Sequence, residues 1–494
     1  MDIRKFMVLF LVLINFQSKA NDFEWNPVLQ KAYTSLWKMR LQETKALLAS
    51  QKNTSGIKLY LQSYTDLIEL MITEDKADFE QFLDIQSTRL TLLEDFPDTS
   101  PEKQWIIAEM YLHLATAKLK FGHEVKGAWN LIKASKLLES NAKKFPNFIP
   151  QQKSLGLLHI MVGSIPQNYL WVAKLLGLKG SVKYGLQELK NVSINEPRYA
   201  TEANVMYYLA HAYILGFTPM ILQDYEQFLD KNEESLLIQF LGVTTYMKEG
   251  NSSYAHILLK KCDTLNTKAG YWAFPFLQYL HGEIEIQKGS YTLASRYYQV
   301  FLQQYKGFNF IKDTYYKLFL CSWLINEDTK AMNYLEKVKT QGSTIVEADQ
   351  SALRFTEKFN TSLKNEASKK LMKARLAFDG GYYQKAKELL SELKENHFGS
   401  NTEKAEYNYR KGRVHQKLLE IILAEEHFER AIVLTQNASI SYGALSCLQL
   451  GYIFQETKQK EKAKYYFEKV LTYSKHEYKN SADNKAKAAL NTLN

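Results

Sequence analysis

Three stretches of this chain share one spacing. In LHGEIEIQKGSYTLASRYYQVF, Gly282 is followed twelve residues later by Ala294, then by Tyr298 and Phe301. Gly412 is followed at the same offsets by Ala424, Phe428 and Ala431, and Gly451 by Ala463, Phe467 and Val470. A glycine on one helix lets a second helix approach closely, and the alanine sits at that crossing. The aromatic four residues after the alanine lies on the same helical face and plugs the gap to the next unit. One such hairpin cannot bury its apolar face alone, so the units must stack.

Weaker copies extend the pattern. Ala331, Leu335 and Val338 follow Phe319; Ala386, Leu390 and Leu393 follow Ala374; Ala255, Leu259 and Cys262 follow Val243; Ala128, Ile132 and Ser135 follow Thr116. Thr44 takes the alanine place near the start. Apolar residues recur at three and four along most of the chain, only nine prolines interrupt it, and no two-residue alternation is bounded by hairpin turns. The fold class expected is therefore all-α. The offsets resemble the tetratricopeptide repeat, a helix-turn-helix unit, and the resemblance implies a right-handed superhelical solenoid. Successive alanines here lie 37 to 39 residues apart, so each unit is somewhat longer than the family's.

Two intervals break the rhythm. The first, from Ala331 to Ala386, suggests a linker over 341–365 with an extra helix, dividing an N-terminal array over 21–340 from a C-terminal array over 366–494. The second holds GSIPQNYLWVAKLLGLKGSVKYGLQELK, residues 163–190, with four glycines. Gly185 occupies the alanine place with Leu189 four later, and Gly163 ends the preceding helix ahead of Pro166. A phosphate-binding loop would need a lysine and a hydroxyl directly after its last glycine, and a preceding strand; this stretch has neither, so it is read as an irregular hairpin at a close helix crossing. Its pattern also resembles a segment of the eukaryotic tetratricopeptide family that includes the inclusion-body clearance proteins.

Residues 1–20, MDIRKFMVLFLVLINFQSKA, have a basic start, an apolar run from Phe6 to Phe16 and a small-residue Ser18-Lys19-Ala20 ending, the pattern of a cleaved signal peptide. The expected location is the periplasm or the outer-membrane surface of a bacterial envelope, or otherwise secretion. No later stretch is apolar for about 18 residues, so no transmembrane span is expected in the mature chain. Its removal lowers the net charge from +10 to +8. That modest, dispersed excess argues against a nucleic-acid partner and fits at most a peripheral attraction to acidic envelope surfaces. Three cysteines, Cys262, Cys321 and Cys447, each in apolar surroundings, provide no disulfide framework and read as buried.

Local chemistry is sparse. The ten histidines show no metal-ligand spacing, and there is no Gly-x-Ser-x-Gly elbow. The expectation is a non-enzymatic protein without cofactor or metal. In tetratricopeptide arrays the first helix of each pair lines a concave groove. Carrying the family's groove positions onto the matching repeats gives Tyr279 and Glu283, Tyr316 and Trp323, Tyr409, Arg413 and Lys417, and Tyr452 and Gln455. Tyrosine, tryptophan and arginine are the types that dominate binding energy in protein contacts. The resemblance thus implies a scaffold or assembly factor of the envelope that binds a protein or extended peptide. Two alternatives stand beside it: a carbohydrate-binding protein similar to helical glycan-capture proteins, which needs an aromatic platform in an irregular insertion, and an enzyme using residues 340–370, which needs a closed polar pocket with perturbed carboxylates.

Overall fold

The computed structural model describes residues 22–97, 99–165, 177, 180–359, 365–435, 440–474, 476 and 478–493. The signal peptide expected over 1–20, Pro166 and most of the turn expected up to Gly180 lie outside the described residues. The described chain is all α-helical, with no strand among the described residues.

Eight hairpins come first: α1 (Pro27–Trp37) with α2 (Leu41–Ser50), α3 (Gly56–Thr73) with α4 (Lys76–Glu94), α5 (Pro101–Lys120) with α6 (Glu124–Lys144), and α7 (Gln151–Gly163) with α8 (Val182–Asn195). They continue as α9 (Ala200–Ala210), extended by a π-helical turn His211–Leu215, with α10 (Pro219–Lys231), then α11 (Leu236–Lys248) with α12 (Ser252–Asn266), α13 (Phe276–Lys288) with α14 (Tyr291–Gln304), and α15 (Ile311–Trp323) with α16 (Asp328–Thr340). A single helix, α17 (Glu347–Lys358), precedes three more hairpins: α18 (Glu366–Asp379) with α19 (Tyr383–Ser391), α20 (Asn401–Lys417) with α21 (Ile421–Leu434), and α22 (Ser441–Glu456) with α23 (Lys460–Thr472). α24 (Lys479–Leu493) closes the chain. Among the described residues no helix is long and apolar enough to cross a membrane.

Local chemistry sets many of the boundaries. Ser55 and Asp75 accept hydrogen bonds from the first-turn amides of α3 and α4, Ser400 and Glu403 form a reciprocal capping box at α20, and prolines open α1, α5 and α10. The alanine-place residues Thr44, Ala255, Ala294, Ala331, Ala386, Ala424 and Ala463 are all buried at their helix crossings.

The aromatics after the alanines cover the glycine of their own hairpin. A β-carbon on Gly282 would meet Tyr298, one on Gly412 would meet Phe428, and one on Gly451 would meet Phe467. The α5–α6 hairpin also corrects the expected register by one residue: Thr116 is exposed, while Ala115 and Gly127 are buried and face each other across the crossing. In the irregular hairpin, β-carbons on Gly156 and Gly185 would run into each other's backbone carbonyls, so these glycines let α7 and α8 touch backbone to backbone.

The first array curls until its start meets its later hairpins. Tyr33 of α1 donates to Glu202 of α9 at 2.6 Å, the Trp272 amide donates to the Met39 carbonyl at 3.0 Å, and the Asn309 amide donates to Glu74 at 3.3 Å. The second array does not continue that stack end to end. α18 lies along the hairpin turns of the first array: Lys369 reaches Asn326 beside the α15–α16 turn, Lys385 donates to the Lys288 carbonyl at 2.6 Å, and the Ser252 amide donates to the Gly380 carbonyl at 3.2 Å. Gly381, with φ +82°, packs so closely on the backbone of Gly250 that no side chain fits there.

Candidate functional site

The inner face of the first five hairpins is filled by its own side chains. Their first helices, α1, α3, α5, α7 and α9, aim polar groups at one point, the fully buried ammonium of Lys153. Lys153 Nζ pairs with Glu109 Oε2 at 2.7 Å and Glu202 Oε1 at 2.8 Å, and reaches Tyr60 at 3.3 Å. Tyr33 and Tyr64 donate to Glu202, and Ser154 donates to Glu109. Burial opposes the charge on Lys153, but its two carboxylates outweigh burial and raise its pKa. Each ion thus has its counter-ion, and the array is held by a satisfied polar core where a ligand groove would otherwise run.

An open cleft of about 340 Å³ lies instead between the two arrays. Its near wall is α15 and α17, with Asp313, Tyr316, Arg354 and Phe355; its far wall is α18, α20 and α22, with Arg375, Tyr409, Arg410 and Tyr442. Tyr316 packs on Phe355 with ring centroids 4.7 Å apart, and Tyr409 on Tyr442 at 5.6 Å. Arg410 donates twice to one oxygen of Glu406, at 2.7 and 2.9 Å. Burial would raise the Glu406 carboxyl, but Arg410 and Arg375 together hold it below its usual range. Asp313 behaves oppositely: burial pushes its carboxyl up to about 6 against the pull of Lys317, and it accepts from Tyr279 at 2.6 Å. Arg375 stands 42% exposed inside the cleft, its Nε 3.8 Å from Asp379.

The residues singled out from the sequence divide between this cleft, the core and open surface. Tyr316 and Tyr409 line the cleft from opposite walls, Tyr409 largely buried at 8% exposed, and Arg413 stands one turn beyond Tyr409, donating to its hydroxyl at 3.1 Å and covering the Phe378 ring. Tyr279 and Trp323 are core residues, 6% and 3% exposed, which corrects their expected place in a groove. Tyr279 is committed to Asp313, and Trp323 packs against Phe319 and Phe359. Glu283 is tied to Lys317 at 2.8 Å and to Tyr298. Lys417 is exposed near the end of α20, Tyr452 is half-buried against Phe467, and Gln455 is half-buried on α22. Arg375, Arg410 and Tyr442 escaped sequence reasoning because the wall they build exists only once α18 crosses the first array.

No family model matches this chain, and none of the curated proteins matches it. Chemically, the cleft offers tyrosine faces and guanidinium donors on rigid helices. Among the described residues no group of three metal-ligating side chains converges.

Proposed function

We propose that this chain is an exported scaffold of tetratricopeptide type that binds an extended segment of another protein in the cleft between its two arrays. The observation that carries this reading is that tyrosines of separate arrays, Tyr316 on one side and Tyr409 and Tyr442 on the other, line one cleft. A concavity of about 340 Å³ suits a few side chains of a peptide rather than a folded domain. The repeat offsets and the leader over 1–20 support the family and the envelope location. The aromatics of the 341–365 interval, Phe355 and Phe359, pack on Tyr316 and Phe319 as part of the same cleft wall rather than as a separate platform.

The test is photo-crosslinking in cells from benzoylphenylalanine placed at position 316, at 442 and, as a control away from the cleft, at Leu293, which is 40% exposed. The reading expects the same polypeptide adduct from 316 and 442 and none from 293. Absence of a polypeptide adduct from both cleft positions would overturn it.

A further inference from the structure

We infer that the segment held in the cleft is acidic, and that an aspartate or glutamate carboxylate of the partner is bound by Arg375 together with Arg410; this rests on the peptide-binding reading above. Arg375 carries five N–H donors and makes no hydrogen bond to any described residue, its nearest carboxylate oxygen lying 3.8 Å away on Asp379. Arg410 lines the same cleft and opposes its charge, while Asp379 and Glu406 favour it. Both Arg410 bonds end on Glu406 Oε1, so Arg375 is left with the charge of Glu406 and of Asp379 nearby but with no carboxylate hydrogen-bonded to its guanidinium.

The remaining lining favours the same ligand. Arg354 and Lys358 line the α17 edge, Arg354 held by Glu347 at 2.5 Å. Asp313, the acidic lining residue, is turned to the Tyr279 hydroxyl. The Tyr316 hydroxyl makes no hydrogen bond to any described residue and stands ready as a further donor next to Arg375. A carboxylate entering between Arg375 and Tyr316 would take a bidentate contact from the guanidinium, while its aliphatic stem packs on tyrosine faces.

Calorimetric titration of the full chain with an alternating Glu-Ser decapeptide and its Gln-Ser counterpart tests this, using wild type, Arg375→Gln, Arg375→Lys and Tyr316→Ala. The expected result is at least tenfold tighter binding of the Glu-Ser peptide, weakening as salt rises, with the preference lost in Arg375→Gln and partly kept in Arg375→Lys. Arg375 is half-buried and makes no hydrogen bond to a described residue, so a matching thermal melt should show Arg375→Gln folded. Equal affinity for the two peptides, both weakened by Tyr316→Ala, would overturn the acidic preference and leave peptide binding standing. A preference unchanged in Arg375→Gln would overturn the assignment to this arginine. Binding of inorganic phosphate with neither peptide bound would overturn both the inference and the reading under it.

Discussion

The ring of Phe428 fills the space that a β-carbon on Gly412 would need: that carbon would come within 2.7 Å of Phe428 Cδ1 and Cε1. The glycine and the aromatic are thus one packing unit, repeated as Gly282 with Tyr298 and Gly451 with Phe467.

Gly412→Ala should destabilise the second array by about 1–3 kcal/mol, the usual range for an overpacked core, despite alanine's better helix propensity. Adding Phe428→Leu should recover part of that loss. Urea unfolding of the single and double variants checks it; a Gly412→Ala protein more stable than wild type would contradict the packing unit.

Lys153→Met would leave Glu109 and Glu202 buried without their cation. The expected cost is about 3–5 kcal/mol, the range for breaking a buried pair. Changing both glutamates to glutamine in the same protein should restore much of it, because no charge is then left buried. Chemical denaturation of the single and triple variants would reveal the difference.

Acid should weaken the first array through His113. Burial lowers its pKa to about 3, with Lys153 opposing its charge further. The unfolded chain therefore binds a proton that the folded chain refuses, so stability present above about pH 6.5 is lost as pH falls, by about 1.4 kcal/mol per unit. Asp313, raised to about 6, acts with the opposite sign: the folded chain holds its proton, and stability falls as pH rises from about 4 to 6. Relative to wild type, His113→Asn should flatten the acid loss, and Asp313→Asn should gain stability above pH 6. Melting temperatures across pH 4 to 7 separate the two, and parallel curves for all three proteins would show that neither group is linked to folding.

The three thiols should be inert in the folded protein. Cys262, Cys321 and Cys447 are at most 1% exposed, and burial pushes the Cys447 thiol up to about 12. Ellman's reagent should label them only at the rate of unfolding, accelerating with denaturant. Rapid labelling without denaturant would mean that a helix pair opens locally.

The glycine–alanine–aromatic offsets were legible because the residues involved meet within one hairpin, about twenty positions apart, where helical geometry alone decides who faces whom. The same rule explains the slip at α5–α6: Ala115 beside Thr116 and Gly127 beside Ala128 offer two registers of small residues, and only packing selects one. The groove candidates fared unevenly because a tyrosine or tryptophan serves a core as well as a surface. Tyr316 and Tyr409 reached the cleft, whereas Tyr279 and Trp323 were drawn inward by Asp313 and Phe319.

Sequence by itself determined the all-helical class and the crossing residues of most of the repeats it singled out, since these follow from local periodicity and steric fit. Tertiary structure decided what those hairpins enclose. The contact of Tyr33 with Glu202, 169 positions apart, closes the first array on a buried charge. The approach of Gly381 to Gly250 sets the second array across its edge, opening the cleft where Arg375 stands. Such contacts leave no periodic trace, because they depend on the accumulated rotation of many stacked hairpins rather than on any one of them.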